Sequence, residues 1–387
     1  MSRVRVAGVG LTEFGRAPER TGRELFAEAS ARALDDAGVD REAVSALHYG
    51  NFMGALGERQ GHQAPLMAEA AGLRCPATRY ELACASAGAA VRGAVQSVRG
   101  GEADVVVAGG MERMTNRTIE ETTEALAIAA DELFEVRAGV TFPGAYALMA
   151  RSYFERFGGG PADLAHVAVK NHANAVPNEY AQYREEIAVD DALDAPTIAD
   201  PLGLYDSCPV TDGASAVVLV SESYAEENDV DASVAVVGSG QGGDRLALQD
   251  RASPARTPAT DDAAAEAFAD AGCSREDVCA VEVHDCFTIA EVCALEGLGF
   301  YDPGEGIGAA RRGETTADGG LPVNLSGGLK AKGHPVGATG GSQVAEMTRL
   351  LRGDHPNSDA VDGTVGLTHN AGGTVASAVV HLLEVVE

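Results

Sequence analysis

The feature that most constrains the fold is an internal repeat, in which two distant segments share one residue pattern. The segment ALDDAGVDREAVSAL, which starts at Ala33, reappears from Ala267 as AFADAGCSREDVCAV, with eight of fifteen positions identical. Both copies predict a helix that ends at an Ala-Gly pair, then a short acidic turn and an apolar strand. The chain is therefore predicted to contain two similar α/β halves.

A second repeat follows two candidate site segments. SAGAAVRGAVQSVRGG comes after Cys84, and ATGGSQVAEMTRLLRG comes after Pro335. Each predicts an amphipathic helix that starts with small residues and ends in Arg-Gly, before a strand with a glycine cluster. We therefore expect the two halves, residues 1–235 and 236–387, to carry corresponding parts of one site.

Strand and helix patterns alternate in the first half, which indicates an α/β fold. RVRVAGVG predicts a strand, ELFAEASARALDDAG a helix, and ADVVVAGG a buried strand. Residues 119–200 break this order and have no partner in the second half; they include a predicted TFPG turn at residues 141–144. We interpret them as an insertion that covers the substrate.

Composition excludes several classes of protein. The 387 residues are 45% hydrophobic, enough to bury a large core, and the net charge of −29 is spread along the chain, which argues against a nucleic-acid ligand. No segment approaches about 18–20 consecutive apolar residues and the start has no secretory pattern, so we expect a cytoplasmic protein without a membrane partner. The seven cysteines form no paired zinc-binding array, which indicates a reduced compartment and no metal.

The repeated positions carry a candidate nucleophile and a candidate base. Cys84 lies in ELACASAGAA, where a strand-like segment turns into a helix start whose dipole and free amides favour a thiolate and can hold an oxyanion. His334 lies in NLSGGLKAKGHPVGATGG, just before the helix that repeats the one behind Cys84. Either residue alone is commonly structural, but their matching positions predict a Cys–His pair.

Two further segments place polar side chains where apolar strands end. VEVHDCFTIAEV holds His284, Asp285 and Cys286 between apolar residues, which is costly unless these groups have partners or a function. The alternative is that Asp285 caps the next helix and the other two only pack. GLTHNAGGTV ends a strand at Asn370, after which the amide of Gly372 could hold an oxyanion; an ordinary strand-to-turn junction is the alternative.

Taken in this order, the four segments resemble the thiolase family over nearly the whole chain. VTDGASAVVL is also similar to the strand that closes the first half of that family's fold. The resemblance implies two duplicated βαβαβαββ halves in a five-layered αβαβα arrangement, with a loop insertion in the first half. It also implies an acyl-CoA acyltransferase that uses coenzyme A thioesters as substrates and needs no cofactor.

Two departures from the best-known thiolases point to one branch. Those enzymes carry NEAF where this chain has HDCF at residues 284–287, and a second catalytic cysteine where it has Asn370. HDCF with HN-x-G resembles the sterol-carrier-protein thiolases and the archaeal acetoacetyl-CoA thiolases, in which the HDCF cysteine takes the acid/base duty. The resemblance thus implies Cys286 as the base, with Gly372, Asn370 and Asn324 as oxyanion or substrate-lining residues.

The implied reaction is the reversible condensation of two acetyl-CoA molecules to acetoacetyl-CoA and CoA. His334 removes the proton of Cys84, the thiolate attacks an acyl-CoA, and the amides of Cys84 and Gly372 hold the oxyanion. Cys286 then removes a proton from the second acetyl-CoA, whose enolate oxygen is stabilised by His334 and His284.

Three alternatives stay open at this point. The enzyme could be a degradative 3-ketoacyl-CoA thiolase, or a decarboxylating condensing enzyme that uses Cys84, His284 and His334; Cys286 argues against the latter, because decarboxylation creates a carbanion without a base. A non-catalytic thiolase-like scaffold or lipid-binding subunit is opposed by the intact set of four side chains. The resemblance also implies a homodimer or homotetramer, with 3-hydroxy-3-methylglutaryl-CoA synthase and a small zinc-ribbon/OB-fold bridging protein as partners.

The balance of charged residues predicts a requirement for salt. There are 58 acidic residues against 29 basic ones, and the lysines among them are Lys170, Lys330 and Lys332. This composition resembles that of cytoplasmic proteins from salt-accumulating halophiles, in which salt screens the repulsion between surface carboxylates.

We therefore expect both folding and activity to require molar salt. Lowering the salt from about 1 M to about 0.1 M lengthens the screening distance from roughly 3 to 10 Å, so carboxylate repulsion should unfold the whole protein. Circular dichroism melts and steady-state assays across a potassium chloride series test this. Full activity and an unchanged melting temperature at low salt would remove the halophile interpretation.

Overall fold

A nine-stranded mixed sheet organises the chain in the computed structural model, which describes residues 3–386. In chain order the strands are β1 (Val4–Leu11), β2 (Ala46–Gly50), β3 (Ala77–Tyr80), β4 (Val105–Glu112), β5 (Thr197–Ala199), β6 (Leu202–Gly203), β7 (Gly213–Ser221), β8 (Val234–Gly243), β9 (Val278–Glu282), β10 (Val365–Gly372) and β11 (Ser377–Val385). The order across the sheet is β3-β2-β4-β7-β1-β8-β11-β10-β9, and β5 pairs with β6 apart from it.

From the central strands β1 and β8, the sheet continues with the same kinds of strand pairing towards both of its edges. β1 and β8 pair antiparallel where Val4 faces Val236, and each half continues through one antiparallel strand, β7 or β11. The outer strands are then parallel: β2 with β4 and β3 in the first half, β10 with β9 in the second. In the second half, Val323 forms a parallel bridge to Val281 of β9, and so lies beside β9 as β3 lies beside β2 in the first half. The two halves share one topology, and the predicted boundary after residue 235 falls inside β8.

Helices cover both faces of the sheet and fill the space between its halves. They are α1 (Gly22–Ala37), α2 (Gly54–Gly57), α3 (Gln63–Ala70), α4 (Ser86–Arg99), α5 (Ile119–Ala127), α6 (Phe142–Phe157), α7 (Pro161–Ala175), α8 (Val189–Asp194), α9 (Glu222–Asn228), α10 (Pro258–Ala271), α11 (Thr288–Gly297), α12 (Gly306–Arg311) and α13 (Thr339–Arg352). Within residues 3–386, no helix has both the length and the apolar character needed to cross a membrane.

The packing of the helices gives five layers. α1 packs on the outer face of β1 and β7, and α10 packs on the outer face of β8 and β11. α4 and α13 pack against each other and contact strands of both halves, so they form the middle layer. This is the αβαβα arrangement that the resemblance implied.

The two sequence repeats occupy equivalent places. α1 ends at Gly38 with φ +62°, and α10 ends at Gly272 with φ +69°, so each Ala-Gly pair forms the left-handed helix terminus that was predicted. β2 and β9 follow after the same short turn. The strands predicted from RVRVAGVG and ADVVVAGG are confirmed as β1 and β4, and the helix from ELFAEASARALDDAG as α1.

One prediction inside the insertion is wrong. The TFPG segment begins α6 instead of forming an isolated turn, because Thr141 accepts a hydrogen bond from the Gly144 amide at 3.4 Å and Pro143 lies in the first helical turn, where its missing N–H costs nothing. α6 and α7 then pack with α11 in one apolar cluster. The insertion therefore covers the segment that contains Cys286, which belongs to that cluster.

The two central helices cross at glycines near their first turns. A side chain on Gly340 of α13 would place its Cβ 2.6 Å from the Cα of Gly88 in α4, and one on Gly88 would lie 2.7 Å from the Asn370 side-chain oxygen. Real Cβ atoms do not approach other atoms so closely. Only glycine at both positions lets the two helix N-termini meet.

We expect Gly340→Ala to destabilise the protein by about 1–3 kcal/mol, because the added methyl group must push two packed backbones apart. Gly320→Ala is the matched control, since Gly320 is exposed with open space around its Cα, and it should change stability by less than about 1 kcal/mol. Urea denaturation at constant salt measures both. Equal stability of the two variants would contradict the crossing.

Candidate active site

Cys84 lies on a tight turn between β3 and α4. Ala83, just before it, has φ +49°, a region that side-chain-bearing residues seldom adopt. The Ser86 hydroxyl braces the turn: it donates to the Ala83 carbonyl at 2.6 Å and accepts from the Leu82 amide at 3.0 Å. The turn presents the thiol at the start of a central helix, as the sequence predicted.

The structure brings three of the predicted site residues together. The Cys84 sulfur, one ring nitrogen of His284 and one ring nitrogen of His334 all lie within 4.8 Å of one another. The two imidazole rings meet edge to face, with centroids 4.9 Å apart. Within residues 3–386 this is the one group of side chains spaced to hold a metal ion; that the protein needs no metal stays a prediction.

Hydrogen bonding assigns the proton of the neutral His334 ring to one nitrogen. The Thr339 hydroxyl donates to the Pro335 carbonyl at 3.1 Å, so it must accept from the His334 Nδ1–H, 2.7 Å away. The Nε2 atom then carries a free lone pair. His334 is therefore set up to accept a proton, and its own amide donates to the Thr211 hydroxyl at 3.0 Å.

Asn370 places the ring hydrogen of His284 on Nε2, the opposite nitrogen to the one that carries the hydrogen in His334. The Asn370 amide is oriented by its oxygen, which accepts from the Gly88 amide at 3.3 Å, and by its nitrogen, which donates to the Cys84 carbonyl at 3.1 Å. That nitrogen also lies 3.1 Å from His284 Nδ1, which must accept. The hydrogen of the neutral ring then sits on Nε2, a buried atom with no hydrogen-bond partner among the described residues. His284 thus offers a free donor to the site.

Both histidines are neutral at physiological pH. Burial lowers the pKa of His334 from 6.5 to about 3. Burial also holds the pKa of His284 well below its usual value, with smaller contributions from His334 and His369. One neutral ring accepts and the other donates, so the pair can serve as base and oxyanion donor without either being charged at rest.

Cys84 is a thiol at rest. Burial raises its pKa to about 12, although a hydrogen bond from the Gly373 amide lowers it. The Cys84 amide at the helix start favours the thiolate, as expected, but the cost of burying the charge is larger and leaves the pKa raised. Gly372, the predicted oxyanion donor, is the last residue of β10, and the amide that contacts the sulfur belongs to the next residue.

Cys286 lies beside this group with a second cysteine opposite. Burial raises the pKa of Cys286 well above 9, and Cys208 and Cys84 raise it further. An antiparallel bridge between Ser207 and Phe287 places Cys208 across from Cys286, and the Cys208 amide donates to the Cys286 carbonyl at 2.9 Å. Sequence reasoning gave Cys208 no role, although it lies two residues before the VTDGASAVVL segment.

Asp285 anchors the loop that leads to His334. Its carboxylate accepts from the Leu329 and Lys330 amides at 2.7 and 3.3 Å, and from the Asn171 side chain at 2.7 Å. Burial, followed by the charge of Glu291, raises the pKa of Asp285 to about 7. The alternative that Asp285 caps the next helix is wrong, because α11 starts without a side-chain cap.

Asn324 supports the segment that leads from the end of β9 to His284. Its φ is +56°, its side-chain oxygen accepts from the Val283 amide at 2.9 Å, and its nitrogen donates to Glu291 at 2.8 Å. Lys170 forms a buried ion pair with Glu291 at 3.1 Å. Sequence reasoning missed this supporting network; one signal that could have found it is that Lys170 is a rare lysine within an apolar helix pattern.

Comparison with known proteins identifies the family. Residues 4–223 match the family model described as the thiolase N-terminal domain, and residues 240–385 match the thiolase C-terminal domain-like model. An acetyl-CoA acetyltransferase of Methanothermobacter thermautotrophicus is 42% identical over 383 residues, which cover 99% of each chain. One of Methanocaldococcus jannaschii is 37% identical over 390 residues, again 99% of each chain.

Solved structures agree at the level of the fold. The Ltp2-ChsH2(DUF35) aldolase superposes with a TM-score of 0.84 at 25% identity, over 99% of this chain and 98% of that one. The two family models together span both halves of the duplicated sheet. The chain therefore belongs to the thiolase family.

Proposed function

We propose that this protein is an acetyl-CoA C-acetyltransferase, which condenses two acetyl-CoA molecules reversibly to acetoacetyl-CoA and CoA. The observation that carries the proposal is the cluster of Cys84, His334 and His284, in which the free Nε2 atom of His334 can accept a proton and the Nε2–H of His284 can donate a hydrogen bond. The two archaeal relatives with this name, similar over almost their whole length, support the choice of substrate.

The first half-reaction forms the acyl-enzyme. His334 Nε2 takes the proton of Cys84 as the sulfur attacks the thioester carbon of acetyl-CoA, because a thiol with a pKa of about 12 needs a base at that moment. The Cys84 amide and the amides of Gly372 and Gly373 at the end of β10 are the candidate oxyanion donors, and the contact of the Gly373 amide with the sulfur supports this assignment. The C–S bond to CoA then breaks, and acetyl-Cys84 remains.

Cys286 completes the proton balance of this step. The departing CoA thiolate takes the proton of Cys286 and leaves as CoA, so Cys286 becomes a thiolate while His334 is protonated. This transfer accounts for the ionisation of a thiol whose pKa in the resting protein is raised well above its usual value. The positive charge that His334 carries at this stage favours the thiolate over the neutral thiol.

The second half-reaction joins the carbon atoms. The Cys286 thiolate removes a proton from the methyl group of the second acetyl-CoA, and the His284 Nε2–H and the protonated His334 stabilise the enolate oxygen. The enolate carbon attacks acetyl-Cys84, and the released Cys84 sulfur takes back the proton from His334. All three groups return to their starting state.

The buried thiol at position 286 favours this reaction over decarboxylating condensation, which needs no base. The same residues would run thiolysis of longer 3-ketoacyl-CoA substrates, so chain length is a separate question that a substrate series would answer. Following the resemblance, we also propose a cytoplasmic homodimer or homotetramer that associates with 3-hydroxy-3-methylglutaryl-CoA synthase and a small bridging protein. The name of the Ltp2-ChsH2(DUF35) aldolase includes a second component, ChsH2(DUF35), which supports association with a partner protein.

We expect Cys286→Ala to separate the two half-reactions. Labelled acetyl-CoA should still acylate Cys84, located by peptide mapping, because the proton that His334 took from Cys84 can pass to the CoA thiolate in place of the missing Cys286 proton. Condensation and thiolysis should fall by roughly 10²–10⁴-fold, which is the usual contribution of a positioned base. Exchange of acetyl-CoA methyl protons with deuterated solvent should fall with them. Cys293→Ala, which removes another buried thiol from the same apolar cluster, should keep all three activities. Near-normal turnover of Cys286→Ala would place the base elsewhere.

We expect acylation of Cys84 to be independent of pH between about pH 5 and 9. His334, with a pKa of about 3, stays neutral above this lower limit, and Cys84, with a pKa of about 12, stays a thiol below the upper limit. The rate should drop only as pH falls towards the pKa of His334, where the ring binds a proton and can no longer accept one. The burst of labelled acetyl groups measures the rate, with Cys84→Ala as background. A sigmoidal rise centred near pH 6.5 would contradict a neutral His334.

A further inference from the structure

Tyr146 is a buried residue of the insertion that reaches both halves of the site. It lies on α6, is fully buried, and stacks its ring on Phe287 with centroids 4.6 Å apart and an angle of 23°. Its hydroxyl donates to the Gly373 carbonyl at 3.0 Å. Cys286, the residue before Phe287, lies in the same apolar cluster and near enough to add to the rise that burial causes in the pKa of Tyr146. The hydroxyl is thus bonded to the loop beside the nucleophile and lies close to the base.

The Gly373 peptide is held from several sides. Its amide contacts the Cys84 sulfur, and its φ is +61°. The next residue, Thr374, is fixed by Arg251, which donates to the threonine hydroxyl at 3.0 Å and to its carbonyl. Arg251 thus fixes the chain on one side of the Gly373 carbonyl, and the Tyr146 hydroxyl donates to that carbonyl.

A tyrosine hydroxyl has a single hydrogen, so it cannot donate to both partners at once. When Cys286 is a thiol, its S–H can donate to the Tyr146 oxygen while the Tyr146 hydrogen points at the Gly373 carbonyl. When Cys286 is a thiolate it has no hydrogen to give and needs a donor. The hydroxyl can turn to supply one, which leaves the Gly373 carbonyl without its partner.

We propose that Tyr146 is a positioning residue whose hydroxyl hydrogen turns from the Gly373 carbonyl to the Cys286 thiolate, coupling the state of the base to the peptide beside Cys84. No proton is transferred; only the direction of one O–H bond changes. The proposal rests on the proposed function, in which Cys286 removes the α-proton. It assigns the insertion a part in the reaction beyond covering the substrate.

The direct test measures the Cys286 thiolate without the reaction. In a Cys84→Ala background, the rate at which iodoacetamide alkylates Cys286 at a fixed pH reports the thiolate fraction, and peptide mapping separates this site from the other cysteines. Tyr146→Phe keeps the stacked ring but removes the donor, so alkylation should slow by roughly 10–100-fold, the effect of one charge-assisted hydrogen bond. The other ionisable groups that face Cys286, namely Cys208 and Asp285, are unchanged in this variant.

Tyr153→Phe is the matched control. Tyr153 is a buried tyrosine on the same helix, and its hydroxyl donates to Glu296 at 2.5 Å instead of contacting a site thiol. Its loss should leave Cys286 alkylation within about twofold even if the protein becomes less stable. If Tyr146→Phe alters alkylation no more than this control, the proposal fails.

In the enzyme with Cys84 intact, Tyr146→Phe should slow the two half-reactions to different extents. Methyl-proton exchange should fall by the same roughly 10–100-fold as alkylation, whereas acylation of Cys84 should fall much less, by under about fivefold. An equal loss in both steps would mean that Tyr146 only supports the fold. If Cys286→Ala retains methyl-proton exchange, the proposed base is wrong, and the alkylation experiment still decides whether Tyr146 donates to Cys286.

A second variant covers the case in which Tyr146→Phe fails to fold. Replacing Tyr146 by 3-fluorotyrosine preserves shape and makes the hydroxyl a stronger donor, so alkylation of Cys286 should become faster, in the opposite direction to phenylalanine. An unchanged or slower rate in that folded variant would overturn the proposal.

Discussion

The close crossing of α4 and α13 is the contact on which the rest of the structure depends. Gly88 and Gly340 allow the first turns of these helices to meet in the layer between the two halves of the sheet. Cys84 precedes one helix and His334 precedes the other, so the crossing brings together residues from opposite ends of the chain. Duplication of a simple α/β unit thus produces one site, because each copy supplies one loop and the two loops meet at the helix crossing.

Burial at this crossing determines the chemistry of the site. Taking a thiol and two imidazoles out of water disfavours their charged forms, so Cys84 remains protonated and both histidines remain neutral. Roles are then assigned by hydrogen bonds to neutral groups: Thr339 leaves His334 an acceptor, and Asn370 leaves His284 a donor. In the proposed reaction, charge forms only as protons move within this group, whose sulfur and ring nitrogens lie within 4.8 Å of one another.

The insertion contributes more than a cover. α7 supplies Lys170 and Asn171, which satisfy the buried carboxylates of Glu291 and Asp285, and those carboxylates hold the strand end and loop that carry the histidines. α6 supplies Tyr146. A segment without a counterpart in the second half therefore makes the two halves of the site unequal, as a site with one nucleophile and one base requires.

The sequence by itself determined the duplicated α/β fold, the helix ends at Gly38 and Gly272 and the pairing of Cys84 with His334. Periodicity, turn residues and a repeat can all be recognised from the order of the residues alone. Only the tertiary structure decided that Cys84 is a protonated thiol, which nitrogen of each histidine carries the hydrogen, and that Tyr146 lies close to both Cys286 and Gly373. These properties depend on burial and on partners distant in sequence, and desolvation and long-range hydrogen bonds leave no pattern in neighbouring residues.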